Sequence, residues 1–130
     1  KDQIFDPCRK KWVLLTPEEW VRQHLLQYLI QVCKYPAELI AIEKTIQLGS
    51  LNKRFDILVY QGKTPWMILE CKEANTPLSE KTILQLLQYQ QVLDATYLIA
   101  SNGHETIGAE IKMGKLHMLH HFPNYINPSL

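Results

Sequence analysis

Three apolar runs crowded into a short stretch of chain set the fold class. Residues 39–48, 54–60 and 66–72 each have the length of a strand and are rich in Ile, Leu and Val. Only short turns separate them. Gly49-Ser50-Leu51-Asn52 makes the first turn and Gln61 to Pro65 the second. Such short connections predict an antiparallel meander, because a parallel pair needs a crossover of a dozen or more residues.

Helical segments bracket the meander. Thr16-Pro17-Glu18-Glu19 reads as a helix start, with Thr16 at the N-cap, Pro17 at the first helical position and Glu19 completing a capping box. Val21, Leu25, Leu26, Leu29, Ile30, Val32 and Cys33 then recur at helical spacing until Pro36, which predicts a helix over 17–34. A second helix is expected over 79–93, with Ile83, Leu84, Leu86, Leu87, Val92 and Leu93 as its apolar positions. Residues 96–100 form a fourth strand, closed by Ser101-Asn102-Gly103. The helix before it permits parallel pairing with the third strand. Gly108 and Gly114 read as turns between short further strands. The order predicts an α/β domain, a central mixed β-sheet flanked by helices. At 130 residues the chain fits a single domain, with an arm at 1–15 ending in a short extended piece and a tail at 123–130.

Composition limits the functional classes. Hydrophobic residues make up 46%, enough for one core and too many for a disordered chain. The net charge of +1 excludes a protein that holds a polyanion through overall charge. Such contacts would have to come from local clusters, Arg9-Lys10-Lys11 and Lys53-Arg54, which also suit a solvated surface. Cys8, Cys33 and Cys71 have no regular spacing and suggest neither a disulfide framework nor a structural zinc site. Free thiols fit a reducing compartment, so a cytoplasmic location is expected. No apolar run has membrane-spanning length, so no membrane contact is expected, nor is a signal peptide.

Glu70-Cys71-Lys72 carries the chemistry. Residues two apart on a strand share a face, so Glu70 and Lys72 are expected to project together, alongside Trp66 and Ile68. Charges placed after so apolar a run need compensation. Asp56, fourteen residues earlier, interrupts the neighbouring strand and is positioned to join them. An E-x-K pair alone is commonly a surface ion pair, but the added aspartate makes a cluster of two carboxylates and a lysine. Two carboxylates can hold Mg²⁺, with Mn²⁺ able to substitute, while water and phosphate complete the octahedron. The lysine could orient a water or stabilise charge on phosphate. Other candidates are weaker. His117, His120 and His121 form no recognisable ligand set. Ser50, Ser79 and Ser101 lack a nucleophile-elbow context. A two-carboxylate glycosidase has no role for Lys72.

Set in order, Pro17-Glu18-Glu19-Trp20-Val21-Arg22-Gln23, Lys53-Arg54-Phe55-Asp56-Ile57-Leu58-Val59-Tyr60, Ile68-Leu69-Glu70-Cys71-Lys72 and Ser101-Asn102-Gly103 resemble the PD-(D/E)XK nuclease superfamily. More narrowly, they resemble the N-terminal nuclease domain of type I restriction enzyme R subunits. The resemblance spans roughly residues 5–115. It departs from the superfamily pattern at Phe55, where many members have proline. It implies a restriction-endonuclease-like fold and Mg²⁺-dependent hydrolysis of DNA, with Asp56, Glu70 and Lys72 catalytic. It further implies an acid on the first helix as a metal ligand, for which Glu18 is chosen because it heads a stripe with Arg22, Leu25 and Leu29. A Gln-xxx-Tyr pair on the second helix, Gln85 and Tyr89, would support the reaction or contact DNA, and Arg54 is a secondary phosphate contact. No motor motif is present, so the chain is expected to be either a fragment or a stand-alone relative. It would act with DNA, as a homodimer or within a larger restriction or repair complex. A non-cleaving nucleic-acid-binding or interaction module on the same fold is the alternative, as is a structural piece of a larger complex.

Overall fold

Continuous burial along the central strands, with side chains directed to both faces, builds one sheet with an apolar layer on each side. The computed structural model describes residues 2–126, and all their side chains except those of Leu48, Leu51, Gln91 and Val92. The chain runs β1 (Gln3–Asp6), β2 (Lys11–Leu14), α1 (Pro17–Gln27), β3 (Ile40–Leu48), β4 (Leu51–Gln61), β5 (Thr64–Cys71), α2 (Glu80–Leu93), β6 (Tyr97–Ser101), β7 (Thr106–Lys112) and β8 (Lys115–Met118). β3 to β8 lie side by side in chain order as a six-stranded sheet. β5 and β6 pair in parallel across the α2 crossover, and the other neighbours pair antiparallel. The result is a mixed α/β sheet flanked by helices.

The two faces have separate cores. Leu25 and Leu26 of α1, with Leu29 just beyond its end, pack with Ile57, Met67, Leu69 and Ile99. Ile83, Leu86 and Leu93 of α2 pack on the opposite face with Phe55, Leu58, Ile68 and Leu98. Each group is buried to within 7% relative exposure, so the sheet is covered on both sides.

Several expectations need correction. α1 ends at Gln27, not Lys34, and a π-helical turn over Tyr28–Val32 follows it. Lys34 then takes a left-handed conformation, φ 61°, and the Tyr35 amide donates to Leu29 O at 3.0 Å, which closes the end of the turn. The arm is a β-hairpin, with Phe5 opposite Trp12 and Asp6 opposite Lys11. Gly108 is not a turn but sits in β7 opposite Ile99. A Cβ there would lie 2.5 Å from Ile99 Cδ1, so glycine makes room for the isoleucine. Trp66 does not share a face with Ile68. The β4–β5 register shifts between Val59 and Tyr60, making Trp66 the extra residue of a bulge, and it packs with Tyr35, Tyr97 and Tyr125 on the α1 side. The described part of the tail is packed: Tyr35 donates to Pro123 O at 2.7 Å and Gln61 to Ile126 O at 2.9 Å. Residues 127–130 and the side chain of Val92 lie outside the described residues.

Ser101-Asn102-Gly103 fastens the end of β6 to its surroundings. Asn102 donates to Thr76 O and accepts from the amides of His104 and Glu105. Gly103 has φ +89° and lies under Trp20 of α1, where an added Cβ would meet the indole at 2.6 Å. Gly103→Ala therefore faces both backbone strain and a clash. It is expected to lower stability by about 1–3 kcal/mol, measured by urea unfolding, with a shift in Trp20 fluorescence in the folded state.

Candidate active site

The site forms where two neighbouring strands part. The β4–β5 ladder ends at Ile57 opposite Leu69, whereas β5 continues beside β6 to Cys71 opposite Ser101. Just past the last pair, Asp56 turns its carboxylate across the gap, and Oδ2 accepts the Cys71 amide at 2.8 Å. Strand alternation breaks here, since Phe55 and Leu58 both face α2. The residue facing Asp56 on β3 is Glu43, which has φ 51° and leaves the ladder between Ile42 and Lys44. The splayed end of β4 thus aims Asp56 at the carboxyl end of β5.

Glu70 comes from β5 and is buried, at 8% relative exposure. It lies within hydrogen-bonding reach of Asp56. Burial above all, then the Asp56 charge and hydrogen bond, push its pKa up from the ordinary carboxylate range to about 7, and Lys53 opposes the shift. Lys53 Nζ lies 3.3 Å from Glu70 Oε1 and 5.3 Å from the ring centroids of both Phe55 and Tyr89. A cleft of about 230 Å³ opens beside Glu70, lined by Lys53, Lys72, Gln85, Gln88 and Tyr89 among others. Lys72 forms no ion pair among the described residues, so its ammonium is available to the cleft.

The structure therefore brings Glu70, Lys72, Gln85 and Tyr89 to one cleft, with Asp56 beside Glu70 but outside the cleft lining. Tyr89 also stands edge-on to Phe55, with ring centroids 5.8 Å apart. Glu18 and Arg54 are placed differently. Glu18 does not head an inward stripe: its side chain is 62% exposed, and its carboxylate accepts from Arg22 Nη2 at 2.9 Å. Among the described residues no group of three or more His, Cys, Asp or Glu is gathered as for a metal, and Glu18 meets Asp56 through the Arg22 guanidinium they share. Arg54 is 66% exposed and pairs with Glu43 at 3.6 Å rather than lining the cleft. Two carboxylates still suffice for a hard divalent cation that keeps several waters. The mutual repulsion of Asp56 and Glu70 is what such a cation would relieve.

Sequence reading missed Arg22 and gave Glu19 only half its role. The Glu19 amide donates to Thr16 Oγ1, as a cap requires, but its side chain turns inward. Glu19 accepts from Arg22 Nη1 at 2.7 Å, Arg9 Nη2 at 2.8 Å and Gln23 Nε2 at 3.0 Å. Arg22, only 2% exposed, also donates to Asp56 Oδ1 at 3.4 Å. Arg9 joins Asp6 at 2.8 Å and Glu43 at 3.0 Å. Burial works against the Asp6 carboxylate, but hydrogen bonds from Arg9, Gln23 and the Cys8 amide outweigh it and lower its pKa. The signal lay in the spacing of Glu19, Arg22, Gln23 and Leu26, one turn apart on one face. The larger cavity, about 490 Å³, lies on the α1 face between residues such as His24, Tyr28 and Phe122, and contains none of these groups.

With the geometry in view, comparison with known proteins is informative. Residues 17–123 match the family model described as type I restriction enzyme R protein N terminus. The chain belongs to this family. Its solved relatives include a fragment described as an HsdR subunit of a type I restriction enzyme from Vibrio vulnificus YJ016. That fragment superposes with a TM-score of 0.63 at 21% identity, over 85% of this chain and 24% of the other. The likeness shows a shared fold, and this chain spans about a quarter of that chain's length. A search of curated proteins found no match. Among the described residues, no helix of this R-subunit N-terminal domain is long and apolar enough to cross a membrane.

Two expectations follow. Arg22→Met leaves Glu19 buried with one guanidinium fewer and should cost about 3–5 kcal/mol in chemical denaturation, with partial recovery in Arg22→Met/Glu19→Gln. Glu70, whose folded pKa is raised, contributes stability that is complete below its unfolded value of 4.5 and is lost as pH rises through about 7. In metal-free buffer, Glu70→Gln should therefore gain melting temperature relative to the parent as pH climbs through that window, and the difference should level off above it.

Proposed function

We propose that this domain is a Mg²⁺-dependent deoxyribonuclease of the PD-(D/E)XK type, hydrolysing phosphodiester bonds of DNA. The observation that carries this reading is the convergence of Asp56 and Glu70 at the end of β5, beside a cleft lined by Lys53 and Lys72. Asp56 and Glu70 would hold the cation. Once bound, a hard divalent ion neutralises phosphate charge and makes water more acidic. The fixed partners of Asp56, Arg22 on one oxygen and the Cys71 amide on the other, hold its carboxylate in place. Lys72 orients the attacking water or stabilises charge growing on the phosphate oxygens as the bond to the leaving sugar oxygen breaks. Gln85 supports the water, and Tyr89 borders the path of the DNA strand. Glu18 enters only by orienting Arg22. Arg54 stands outside the cleft, where it can meet only a more distant phosphate. Within this reading the domain works in the cytoplasm as part of a restriction complex, and pairing of two copies would let both strands be cut.

The test combines calorimetric titration of Mg²⁺ and Mn²⁺ with incubation on plasmid and single-stranded DNA, using the parent, Asp56→Asn and Asp56→Ala. Asn keeps an acceptor for the Cys71 amide and guards against misfolding. Metal affinity is expected to fall at least about tenfold and cleavage at least about a hundredfold in both variants. Cleavage that survives Asp56→Asn sinks the reading. DNA binding by the parent without metal affinity or cleavage would favour a non-cleaving binding module.

A further inference from the structure

The lysine that neutralises Glu70 is not its sequence neighbour. Lys72 follows on the same strand and lines the cleft, yet the ammonium at Glu70 Oε1 belongs to Lys53 of β4, 3.3 Å away. Its other hydrogen-bond partner is the adjacent carbonyl, Arg54 O at 3.0 Å. Nζ lies 5.3 Å from the ring centroids of both Phe55 and Tyr89. A monovalent cation therefore stands against one of the two carboxylates that would take a divalent one. Glu70 is almost fully buried and Lys53 is the sole cation paired with it among the described residues. The Lys53 side chain keeps 27% exposure and opens onto the cleft, so the ammonium can leave Glu70 without breaking the core.

We infer that Lys53 is a built-in counter-ion that holds the place of the divalent cation at Glu70. When the cation binds, the displaced ammonium turns into the cleft and takes a phosphate oxygen of the bound DNA strand. This assignment rests on the metal-nuclease reading and deepens it. Two like charges compete for Glu70, so the lysine weakens cation binding while the site is free of DNA. With cation and DNA both present the ammonium contributes one phosphate contact. Arg54, the next residue, cannot replace it, because its side chain leaves the opposite way toward Glu43.

The experiment titrates Mn²⁺ calorimetrically into the parent, Lys53→Met, Lys53→Gln and Glu70→Gln. It then measures binding of a short DNA duplex in Ca²⁺ as a function of salt. The two neutral Lys53 variants guard against a fold defect in either, and circular dichroism checks both. Both should bind Mn²⁺ about tenfold more tightly than the parent, and Glu70→Gln should bind it more weakly. In Ca²⁺ both Lys53 variants should bind DNA more weakly, with the slope of log K against log salt shallower by about one. If the parent binds Mn²⁺ and the neutral variants bind it equally or less well, the counter-ion role is wrong and the nuclease reading stands. An unchanged salt slope overturns the phosphate contact. A parent with no Mn²⁺ affinity overturns both readings together.

Discussion

The buried Glu19–Arg22 pair is the contact on which the rest of this domain depends. Both residues are almost sealed from solvent, at 6% and 2% exposure. Charges so placed have lost their hydration and are tolerable only when the geometry is good and the remaining oxygens and protons are used. Here most are used. Glu19 accepts from Arg9, Arg22 and Gln23, and Arg22 donates to Glu18, Glu19 and Asp56. Arg22 Nε and Gln23 Oε1 have no partner among the described residues, one donor and one acceptor on adjacent residues of α1. Arg9 carries the network into the β1–β2 hairpin through Asp6, and into β3 through Glu43. One ion pair thus ties the hairpin, the first helix and the sheet edge to the aspartate of the site.

This arrangement makes the two site carboxylates unequal. Asp56 is held at both oxygens, by a guanidinium and by a backbone amide from the neighbouring strand. Among the described residues Glu70 is ion-paired only with the Lys53 ammonium, and its deeper burial pushes its pKa up to about 7. A fixed carboxylate beside a responsive one suits binding that releases a proton, since a metal ligand must be deprotonated. The splay of β4 from β5 produces the inequality. Had the ladder continued past Ile57 and Leu69, Cys71 would have had no need of Asp56 as an acceptor.

The sheet and the placement of Asp56, Glu70 and Lys72 near the end of β5 were legible because they depend on local patterns. Apolar runs with short turns gave β3, β4 and β5, capping chemistry gave the start of α1, and period-two spacing put Glu70 and Lys72 on one cleft. What sequence could not show depends on irregularity or on distant partners. Trp66 changes face because of a bulge whose register is set by β4. The hairpin was hidden because Phe5 and Trp12 face solvent, at 45% and 63% exposure, and leave no apolar face to read. Gly108 looked like a turn because nothing local announces that Ile99 needs its space. Glu18 and Glu19 were exchanged because both lie one turn from Arg22. Only the hairpin, through Arg9, makes Glu19 the one to bury. Lys53 passed as surface charge because its partner lies seventeen residues away on another strand.

The same network changes what the overall charge means. Asp6, Glu18, Glu19, Glu43, Asp56 and Glu70 are joined to Arg9, Arg22, Lys53 and Arg54, six acids to four bases. Set against a chain of 14 Lys and Arg to 13 Asp and Glu, the cluster is net acidic and the remainder net basic. The cleft beside Glu70 has the opposite balance, with Lys53 and Lys72 against a single carboxylate. The net charge of +1 thus conceals an uneven distribution, in which the acids are concentrated in the ion-pair network that fixes Asp56 and the unpaired bases lie outside it, Lys72 of the cleft among them.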